Sequence, residues 1–235
     1  MAKDNFMVLQ ALPEMLAKKA AWIIYKEGIE KLLESQPHVV LAVPGGRNVI
    51  PVFKALGEFK IDWQRVHIFM VDERFVPVTD EQSNYRLLFE QLGDILPAES
   101  LHPFEFDDVD RRGAVGRYAQ MLNKLGGRFD IVLLSSGEDG HIASLFPGRG
   151  EVHRTRESFV LITDAPKPPP TRVSATFELL KKSSVGLLLV IGEGKQQALD
   201  IFLDDSVDMD SCPAKVIAGL PKYFVLTDRE VSLPL

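Results

Sequence analysis

The segment 135–147 combines a histidine with carboxylates and glycines, a combination suited to proton transfer. It reads Ser-Ser-Gly-Glu-Asp-Gly-His-Ile-Ala-Ser-Leu-Phe-Pro and follows a short apolar run. Histidine is the side chain that most readily exchanges a proton near neutral pH. Asp139 is close enough in sequence to orient the His141 ring or to stabilise its cation. The chain has four other histidines, none in such a setting: His38, His67, His102 and His153. We predict that His141 is a general base and that Asp139 raises its pKa, the alternative being a structural histidine.

Two adjacent glycines follow another apolar run and are suited to binding an anion. The segment is Pro44-Gly45-Gly46-Arg47-Asn48, and a helical pattern begins directly after it. Paired glycines let backbone N–H groups approach an anion, and the N-terminus of the helix adds its dipole. Gly45, Gly46 and Arg47 are therefore candidate phosphate ligands, the alternative being an ordinary strand-to-helix turn. The spacing matches neither a dinucleotide-binding fingerprint nor a P-loop.

Charged residues at three further places could complete such a site. Asp72, Glu73 and Arg74 stand together at the end of a third apolar run. Buried carboxylates usually need a partner, and Arg74 is the obvious one, so a structural ion cluster and a functional site both stay open. Arg172 follows a proline run, and Lys195 precedes a helical pattern. Taken singly, each of these two is more typical of a surface charge.

Strand-like runs alternate with helical patterns along the chain, and this alternation predicts where these side chains lie. The apolar runs are too short for buried helices and mostly lack alternation, as in strands covered on both faces. The predicted strands span 38–43, 66–71, 130–134, 158–163, 186–191 and 223–227, and the predicted helices span 9–33, 49–56, 83–92, 115–125 and 196–203. We predict one α/β domain over 1–235, Rossmann-like, with a mainly parallel sheet flanked by helices on both faces. The proline run at 165–170 is expected to be a loop within it, and the loops after Val43, Val71 and Leu134 are expected to meet at one edge.

Composition and charge restrict the classes to which the chain can belong. It has 235 residues, is 46% hydrophobic and 26% charged, and carries a formal net charge of −6. These values exclude a disordered chain, a collagen and a coiled coil. The acidic balance argues against a general nucleic-acid binder. The one cysteine, Cys212, excludes a disulfide framework and a multi-cysteine metal site and suits a reducing compartment. Because neither a signal peptide nor an apolar run of membrane-spanning length is found, we expect no membrane association and a cytoplasmic location.

Taken together, the segments resemble the 6-phosphogluconolactonase family. The similarity lies in Pro-Gly-Gly-Arg at 44–47, Val-Asp-Glu-Arg-Phe-Val-Pro at 71–77 and Gly-Glu-Asp-Gly-His-Ile-Ala-Ser-Leu-Phe-Pro at 137–147. Pro-Pro-Pro-Thr-Arg at 168–172 and Gly-Glu-Gly-Lys at 192–195 extend it over most of the chain. The resemblance implies hydrolysis of 6-phospho-D-glucono-1,5-lactone to 6-phospho-D-gluconate, the second step of the oxidative pentose phosphate pathway. It implies no metal and no organic cofactor, and it leaves the oligomeric state open.

The resemblance also implies roles for individual residues. His141 matches the family's proposed general base. Arg74, Arg172 and Lys195 match basic positions associated with the sugar phosphate, and we assign Asp72 to the same substrate site. Two loops depart from the family's usual sequence, at Pro44-Gly45-Gly46-Arg47-Asn48 and at Ser135-Ser136. Hydroxyl donors common in the first loop are replaced, so different phosphate contacts are expected there.

The nearest alternative is an aminosugar-phosphate deaminase of the same superfamily. Glucosamine-6-phosphate deaminases carry Phe-Asn-Glu-Pro after Asp-Gly-His-Ile-Ala, and their glutamate contributes to catalysis. Here Ser144-Leu145-Phe146-Pro147 follows, and an apolar side chain cannot transfer a proton. This difference favours the lactonase. A non-catalytic sugar-phosphate-binding protein would be expected to lack His141 or the cations, and a nucleotide-binding domain would need a glycine fingerprint that is absent.

Overall fold

Ten strands form two sheets in the computed structural model, which describes residues 6–149 and 156–231. The strands are β1 (Phe6–Gln10), β2 (Val39–Val43), β3 (Val66–Met70), β4 (Asp72–Arg74), β5 (Leu101–His102), β6 (Ile131–Ser135), β7 (Phe159–Ile162), β8 (Arg172–Ala175), β9 (Val185–Val190) and β10 (Lys222–Thr227). Seven of them form one sheet in the order β1-β10-β9-β6-β2-β3-β5. All its neighbouring strands are parallel, which confirms the predicted mainly parallel sheet.

The remaining strands form a small antiparallel sheet in the order β4-β8-β7. The predicted strand at 158–163 is present, but it belongs to this second sheet and not to the parallel one. The connection from β7 to β8 is the proline loop, which contains no crossover helix, so the chain returns antiparallel. That loop lies between two strands of one sheet, as the prediction of a loop within the domain requires.

Helices cover both faces of the parallel sheet, as predicted. The described helices are α1 (Pro13–Ile23), α2 (Lys31–Leu33), α3 (Ile50–Gly57), α4 (Asn84–Leu92), α5 (Arg111–Asn123), α6 (Phe177–Leu180) and α7 (Gln196–Leu203). Leu41 and Val43 of β2 pack in one apolar cluster with α1, α3 and α4. Val40 and Ala42 pack in a second cluster with α5, α7 and part of the small sheet. Burial on both faces explains the continuous apolar runs in the sequence.

The predicted helix at 9–33 is wrong at its N-terminal end. Residues Phe6–Gln10 form the edge strand β1, which pairs with β10, and the helix begins only at Pro13. Proline has no backbone N–H to donate and a φ angle suited to the first helical turn, so it marks this start. After α1 the chain continues without a break as a π-helix from Ile24 to Glu30, and α2 follows directly. The short strands β4, β5 and β8 and the short helix α6 were also not predicted from the sequence.

The order of the strands places a crevice beside β2 and β6. The chain leaves β2 for β3 on one side, whereas β6 lies on the other side of β2 and leads on to β9. Ligands in open α/β sheets bind outside the carboxyl ends of strands at such a switch point. Val71 joins the two sheets there, because its N–H donates to Val43 O (2.9 Å) and its carbonyl accepts from Ala175 N–H (2.7 Å).

No helix among the described residues is long and apolar enough to cross a membrane. The extent of the domain, residues 1–235, stays a prediction.

Candidate active site

A polar cavity of about 190 Å³ lies at this carboxyl edge. It is lined by the segments that follow β2, β3, β6 and β9, by the first residue of α4, and by the proline loop with the start of β8. The cavity therefore confirms that the loops after Val43, Val71 and Leu134 meet. It brings together six of the predicted site residues: Gly45, Asp72, Arg74, His141, Arg172 and Lys195.

A larger groove, of about 700 Å³, lies between α5 and β7. Its lining contains Arg112 and Arg156 but no histidine, and it is not formed by the strand ends of the parallel sheet. Size alone therefore does not mark the reactive site. The smaller cavity at the strand ends contains the titratable groups that a reaction needs.

His141 and Asp139 form a hydrogen-bonded pair behind the cavity. The ring Nδ1 lies 2.5 Å from Asp139 Oδ1, and the same oxygen accepts from the backbone N–H of His141 at 3.2 Å. A carboxylate at Nδ1 holds the proton there, so the other ring nitrogen, Nε2, keeps its lone pair. His141 lines the cavity, whereas Asp139 supports it from outside the lining. This arrangement suits the general base and orienting carboxylate predicted from the sequence.

Gly137 allows the pair to pack closely against the end of β6. A Cβ atom at this position would lie 1.9 Å from His141 Nδ1 and 2.6 Å from Asp139 Oδ1. The backbone N–H of Gly137 also donates to the carbonyl of His141 at 2.7 Å, which closes the loop. A glycine is therefore needed here for space. The loop holds the ring in one place although Ser135 and Ser136 depart from the family's usual sequence.

The pKa of His141 is lowered, opposite to the direction expected from its carboxylate neighbour. Burial disfavours the imidazolium and outweighs the charge and hydrogen bond of Asp139, which favour it. Phe146 contributes to this burial, since its ring lies 4.7 Å from the His141 ring between centroids. The His141 side chain is only 15% exposed. The sequence prediction of a raised pKa was wrong because the apolar cover of the ring is set by tertiary packing.

Asp72 is tied into the cavity wall by neutral hydrogen-bond donors. Its Oδ2 accepts from Ser144 Oγ at 2.7 Å, and its backbone carbonyl accepts from Asn84 Nδ2 at 2.9 Å. Ser144 is fully buried and also lies 3.5 Å from Arg172 Nη1. Ser144 thus links a carboxylate to a cation across two elements. The burial of Arg172 lowers the pKa of its guanidinium, and Asp72 opposes this effect.

Glu73 does not pair with Arg74, so the two do not form the structural ion cluster that the sequence left open as an alternative. The Glu73 carboxylate accepts from the backbone N–H groups of Arg74, Asn84 and Tyr85, each at 2.7 Å, and from Ser83 Oγ at 3.1 Å. Burial raises the pKa of Glu73 to about 7, and these backbone hydrogen bonds oppose it. Arg74 instead donates from Nη1 to Gln82 O at 2.7 Å. Glu73 is therefore a brace between β4 and the N-terminus of α4.

The glycine loop after β2 contributes less to the cavity than the sequence suggested. Gly45 lines it, and a Cβ atom there would lie 1.9 Å from Asn84 Oδ1. Gly46 and Arg47 do not line it. At Gly46 the backbone turns with φ +98°, and Arg47 begins a single 3₁₀ turn in an exposed position. Arg47 is therefore exposed and does not line the cavity with the other three predicted cations.

Lys195 enters the cavity from the segment after β9. Its Nζ donates to Ser136 O at 2.8 Å, and so links the segment after β9 to the loop after β6. Partial burial lowers the pKa of Lys195, and the nearby Glu138 carboxylate opposes this. With Arg74, Arg172 and one further lysine, Lys167, it makes four cations in a lining that holds one carboxylate, that of Asp72. The cavity is thus electropositive within an acidic protein.

The described histidines other than His141 lie outside this cavity. His67 Nδ1 lies 3.0 Å from His102 Nε2, and the rings of His38 and His67 meet edge to face. His153 lies outside the described residues. Within the described ranges, no group of three His, Cys, Asp or Glu side chains is placed to hold a metal ion.

Comparison of the sequence with protein families shows to which family the chain belongs. Residues 12–224 match the family described as glucosamine-6-phosphate isomerases/6-phosphogluconolactonase. The chain belongs to this family. Among its relatives, the 6-phosphogluconolactonase of Borreliella burgdorferi is 33% identical to this chain over 202 residues. The match covers 83% of this chain and 86% of the relative. That of Thermotoga maritima is 33% identical over 202 residues, covering 84% of each.

Solved structures of the family have the same fold. The crystal structure of 6-phosphogluconolactonase from Thermotoga maritima has a TM-score of 0.80 at 28% identity, covering 94% of this chain and 98% of that one. A 6-phosphogluconolactonase from Shewanella baltica has a TM-score of 0.82 and covers 97% and 98% of the two chains; at 24% identity it supports the fold alone. The α/β fold with its mainly parallel sheet is thus the fold of the family.

Four residues that line this cavity or pack against its residues were not predicted from the sequence. Asn84, Ser144 and Phe146 lay in segments already singled out, but nothing in the sequence showed which side chains they contact. Lys167 lay within the proline run, where a lone lysine is typical of a surface charge. The only sequence feature that could have indicated Lys167 as a site residue is its position in a proline-rich loop that leads directly into a strand.

Proposed function

We propose that this protein hydrolyses 6-phospho-D-glucono-1,5-lactone to 6-phospho-D-gluconate. The observation that carries the proposal is the His141 ring, fixed by Asp139 at Nδ1 and facing a cavity rich in cations. Membership of the family and the names of its relatives agree with this reaction. The protein would thus act as a lactone hydrolase in the second step of the oxidative pentose phosphate pathway.

In this mechanism His141 activates water. Its Nε2 removes a proton as the water oxygen attacks the lactone carbonyl carbon, and an oxyanion forms. The C–O bond of the ring then breaks, the ring oxygen leaves with a proton returned by the imidazolium, and the new acid loses its proton to solvent. Asp139 stabilises the transient imidazolium. A lactone is an activated ester, so no covalent nucleophile is required.

The cations serve the phosphate rather than the carbonyl chemistry. A phosphate monoester carries about −1.5 to −2 charges near pH 7 and offers several acceptor oxygens. Held by cations such as Lys195 and Arg74, it orients the ring so that the carbonyl meets the water beside His141. Arg74 and Lys195 each use one donor on a backbone carbonyl, and their other donors stay available. The assignment of Gly46 and Arg47 as phosphate ligands stays a sequence prediction without support from the cavity.

Aminosugar-phosphate deamination is the less favoured reading of this site. It needs additional acid–base groups to open the ring and move protons between two carbons. The position where deaminases carry a glutamate is Phe146, which is 3% exposed and packs on the His141 ring. A non-catalytic sugar-phosphate-binding protein would bind the same ligand but would not need the Asp139–His141 pair.

Hydrolysis of freshly generated 6-phosphogluconolactone, measured against its spontaneous hydrolysis, tests the proposal. We expect enzyme-dependent formation of 6-phosphogluconate and no ammonia release from glucosamine 6-phosphate. Ammonia release without lactone hydrolysis would establish the deaminase instead. Binding of 6-phosphogluconate with neither activity would establish the non-catalytic binding protein. Two further predictions from the sequence are a cytoplasmic location and no binding of nucleic acid. One relative, from Arabidopsis thaliana, is named chloroplastic.

A further inference from the structure

The proline loop between β7 and β8 brings to the cavity a lysine that has no partner among the described residues. Lys167 lines the cavity together with His141 and Lys195. Within the described part of the chain, its side chain makes no hydrogen bond or ion pair, whereas Lys195 donates to Ser136 O at 2.8 Å. After burial, the charge of Lys167 is among the causes that lower the pKa of both His141 and Lys195, which places it near both.

Most of the N–H donors of Arg172 form hydrogen bonds to the backbone of this loop. Its Nε donates to Pro169 O at 3.0 Å, and its Nη2 donates to Lys167 O at 2.9 Å and to Pro168 O at 3.3 Å. Nη1 faces Ser144 Oγ at 3.5 Å. A guanidinium has five N–H donors in a rigid fork, and at least three of these serve the loop backbone. The residue is 6% exposed, so little of it faces a ligand.

We propose that Lys167 binds the substrate phosphate together with Lys195, and that Arg172 is chiefly the positioning residue that holds the Lys167 loop in place. The inference rests on the proposed function for the identity of the ligand. Two ammonium groups that face one cavity repel each other, and a dianion between them removes that repulsion. Lys167 would therefore determine the preference for a phosphorylated over an unphosphorylated lactone.

Kinetics of Lys167→Met and Lys167→Arg on two lactones test the first part. Methionine keeps the chain length without the charge, and arginine keeps the charge. For 6-phosphogluconolactone we expect KM to rise about 10- to 100-fold in Lys167→Met, the size of one charged hydrogen bond, and only a few-fold in Lys167→Arg. Hydrolysis of unphosphorylated glucono-1,5-lactone should change much less, because that substrate has no phosphate for Lys167 to bind. Lys60→Met is the matched control, because Lys60 is exposed, precedes β3 and lies outside the cavity lining.

Arg172→Lys tests the positioning role separately. It keeps a cation, but an ammonium cannot reproduce the planar fork that reaches three carbonyls. We expect a rise in KM like that of Lys167→Met, accompanied by faster hydrogen exchange at Ala165 N–H, which donates to Pro170 O across the loop. Lys167→Met should leave that exchange rate unchanged. Unchanged exchange in Arg172→Lys would overturn the positioning role.

The two proposals fail in distinguishable ways. If the wild-type protein hydrolyses neither lactone, the proposed function is wrong, and calorimetric binding of 6-phosphogluconate then tests Lys167 without catalysis. Wild-type KM and product affinity in Lys167→Met would overturn the role of Lys167 while the lactonase assignment survives. Equal loss on both lactones would also overturn it, since the phosphate would not be what Lys167 recognises.

Discussion

The proposed chemistry depends on His141, and its neighbours act on the pKa of its ring in opposite directions. Asp139 favours the charged ring, whereas burial beside Phe146 disfavours it and prevails. A general base must be neutral before it can accept a proton. The packing that lowers the pKa of His141 therefore keeps the base available at mildly acidic pH. In the proposed mechanism, the Asp139 carboxylate stabilises the imidazolium when it forms during the reaction.

His141→Asn should abolish most of the turnover and leave substrate binding nearly intact. Asparagine has similar reach but cannot act as a base near neutral pH. We expect kcat to fall by about 10²-fold or more, with KM for 6-phosphogluconolactone changed only slightly. Stopped-flow assays corrected for spontaneous hydrolysis measure both constants. A folded variant that retains the parental kcat would show that His141 is not the base.

The acid limb of the pH profile should lie below pH 6.5. The pKa of His141 is lowered from its ordinary value of 6.5, so the ring becomes protonated, and inactive as a base, only at lower pH. Asp139→Asn removes an effect that raises this pKa, so we expect the limb to move further down while kcat falls. The measurement is kcat/KM of the free enzyme between pH 4.5 and 8. A midpoint above 6.5, or an upward shift in Asp139→Asn, would contradict the assignment.

At the scale of the element, the site depends on how the start of α4 is joined to β4. Glu73 accepts three backbone N–H groups and the Ser83 hydroxyl, so one carboxylate satisfies donors at the N-terminus of α4. Its neighbours Arg74 and Asn84 line the cavity. The helix thereby fixes two lining residues that come from different elements. Ser83 is the N-cap of α4 and accepts from Arg86 N–H at 3.1 Å.

Glu73→Gln should weaken both the fold and substrate capture. An amide replaces one acceptor oxygen with a donor, which leaves buried N–H groups without a partner. We expect the free energy of unfolding to fall by about 1–3 kcal/mol for such a loss, and KM to rise because Arg74 and Asn84 shift. Urea unfolding and steady-state kinetics measure the two effects. Glu81→Gln, at an exposed position nearby, is the control. Equal changes in the free energy of unfolding and in KM for the two variants would contradict the role of Glu73 in joining β4 to α4.

At the scale of the whole molecule, a histidine cluster away from the cavity makes stability depend on pH. His102 stacks on Phe69 and contacts His67, which in turn meets His38. Burial, and then the charge of His67, lower the pKa of His102 to about 4. Burial also lowers the pKa of His67. In the unfolded chain these rings titrate near 6.5.

We expect the contribution of His102 to the free energy of unfolding to fall as the pH drops from 6.5 towards 4, opposed by Glu73, whose raised pKa acts in the other direction. In that window the unfolded chain binds a proton at His102 and the folded chain does not, so acid favours unfolding, by up to about 1.4 kcal/mol per pH unit. His102→Phe keeps the stacking and removes the proton site, so its stability should depend less on pH. Urea unfolding at pH 7 and 5 tests this. His141→Asn separates the contribution of the active-site ring, and an unchanged slope in His102→Phe would contradict the prediction.

Local sequence patterns were sufficient to predict the alternation of strands and helices and the position of the candidate site residues at strand ends. These features are local: a strand covered on both faces is apolar throughout, and a polar, glycine-rich segment after it marks where the chain leaves the core. The pairing of Asp139 with His141 is also local, since a single residue of the same loop, Gly140, separates them. Motifs spread over the chain were enough to place it in its family.

Tertiary structure decided which neighbours each of these residues has. The edge strand β1 exists because β10 is beside it, and β7 joined the small sheet because β8 returns through a helix-free loop. Arg172 holds a loop, Lys167 faces the cavity, and the pKa of His141 falls rather than rises. Burial and hydrogen-bond partners depend on residues far apart in the chain, and no local pattern records them.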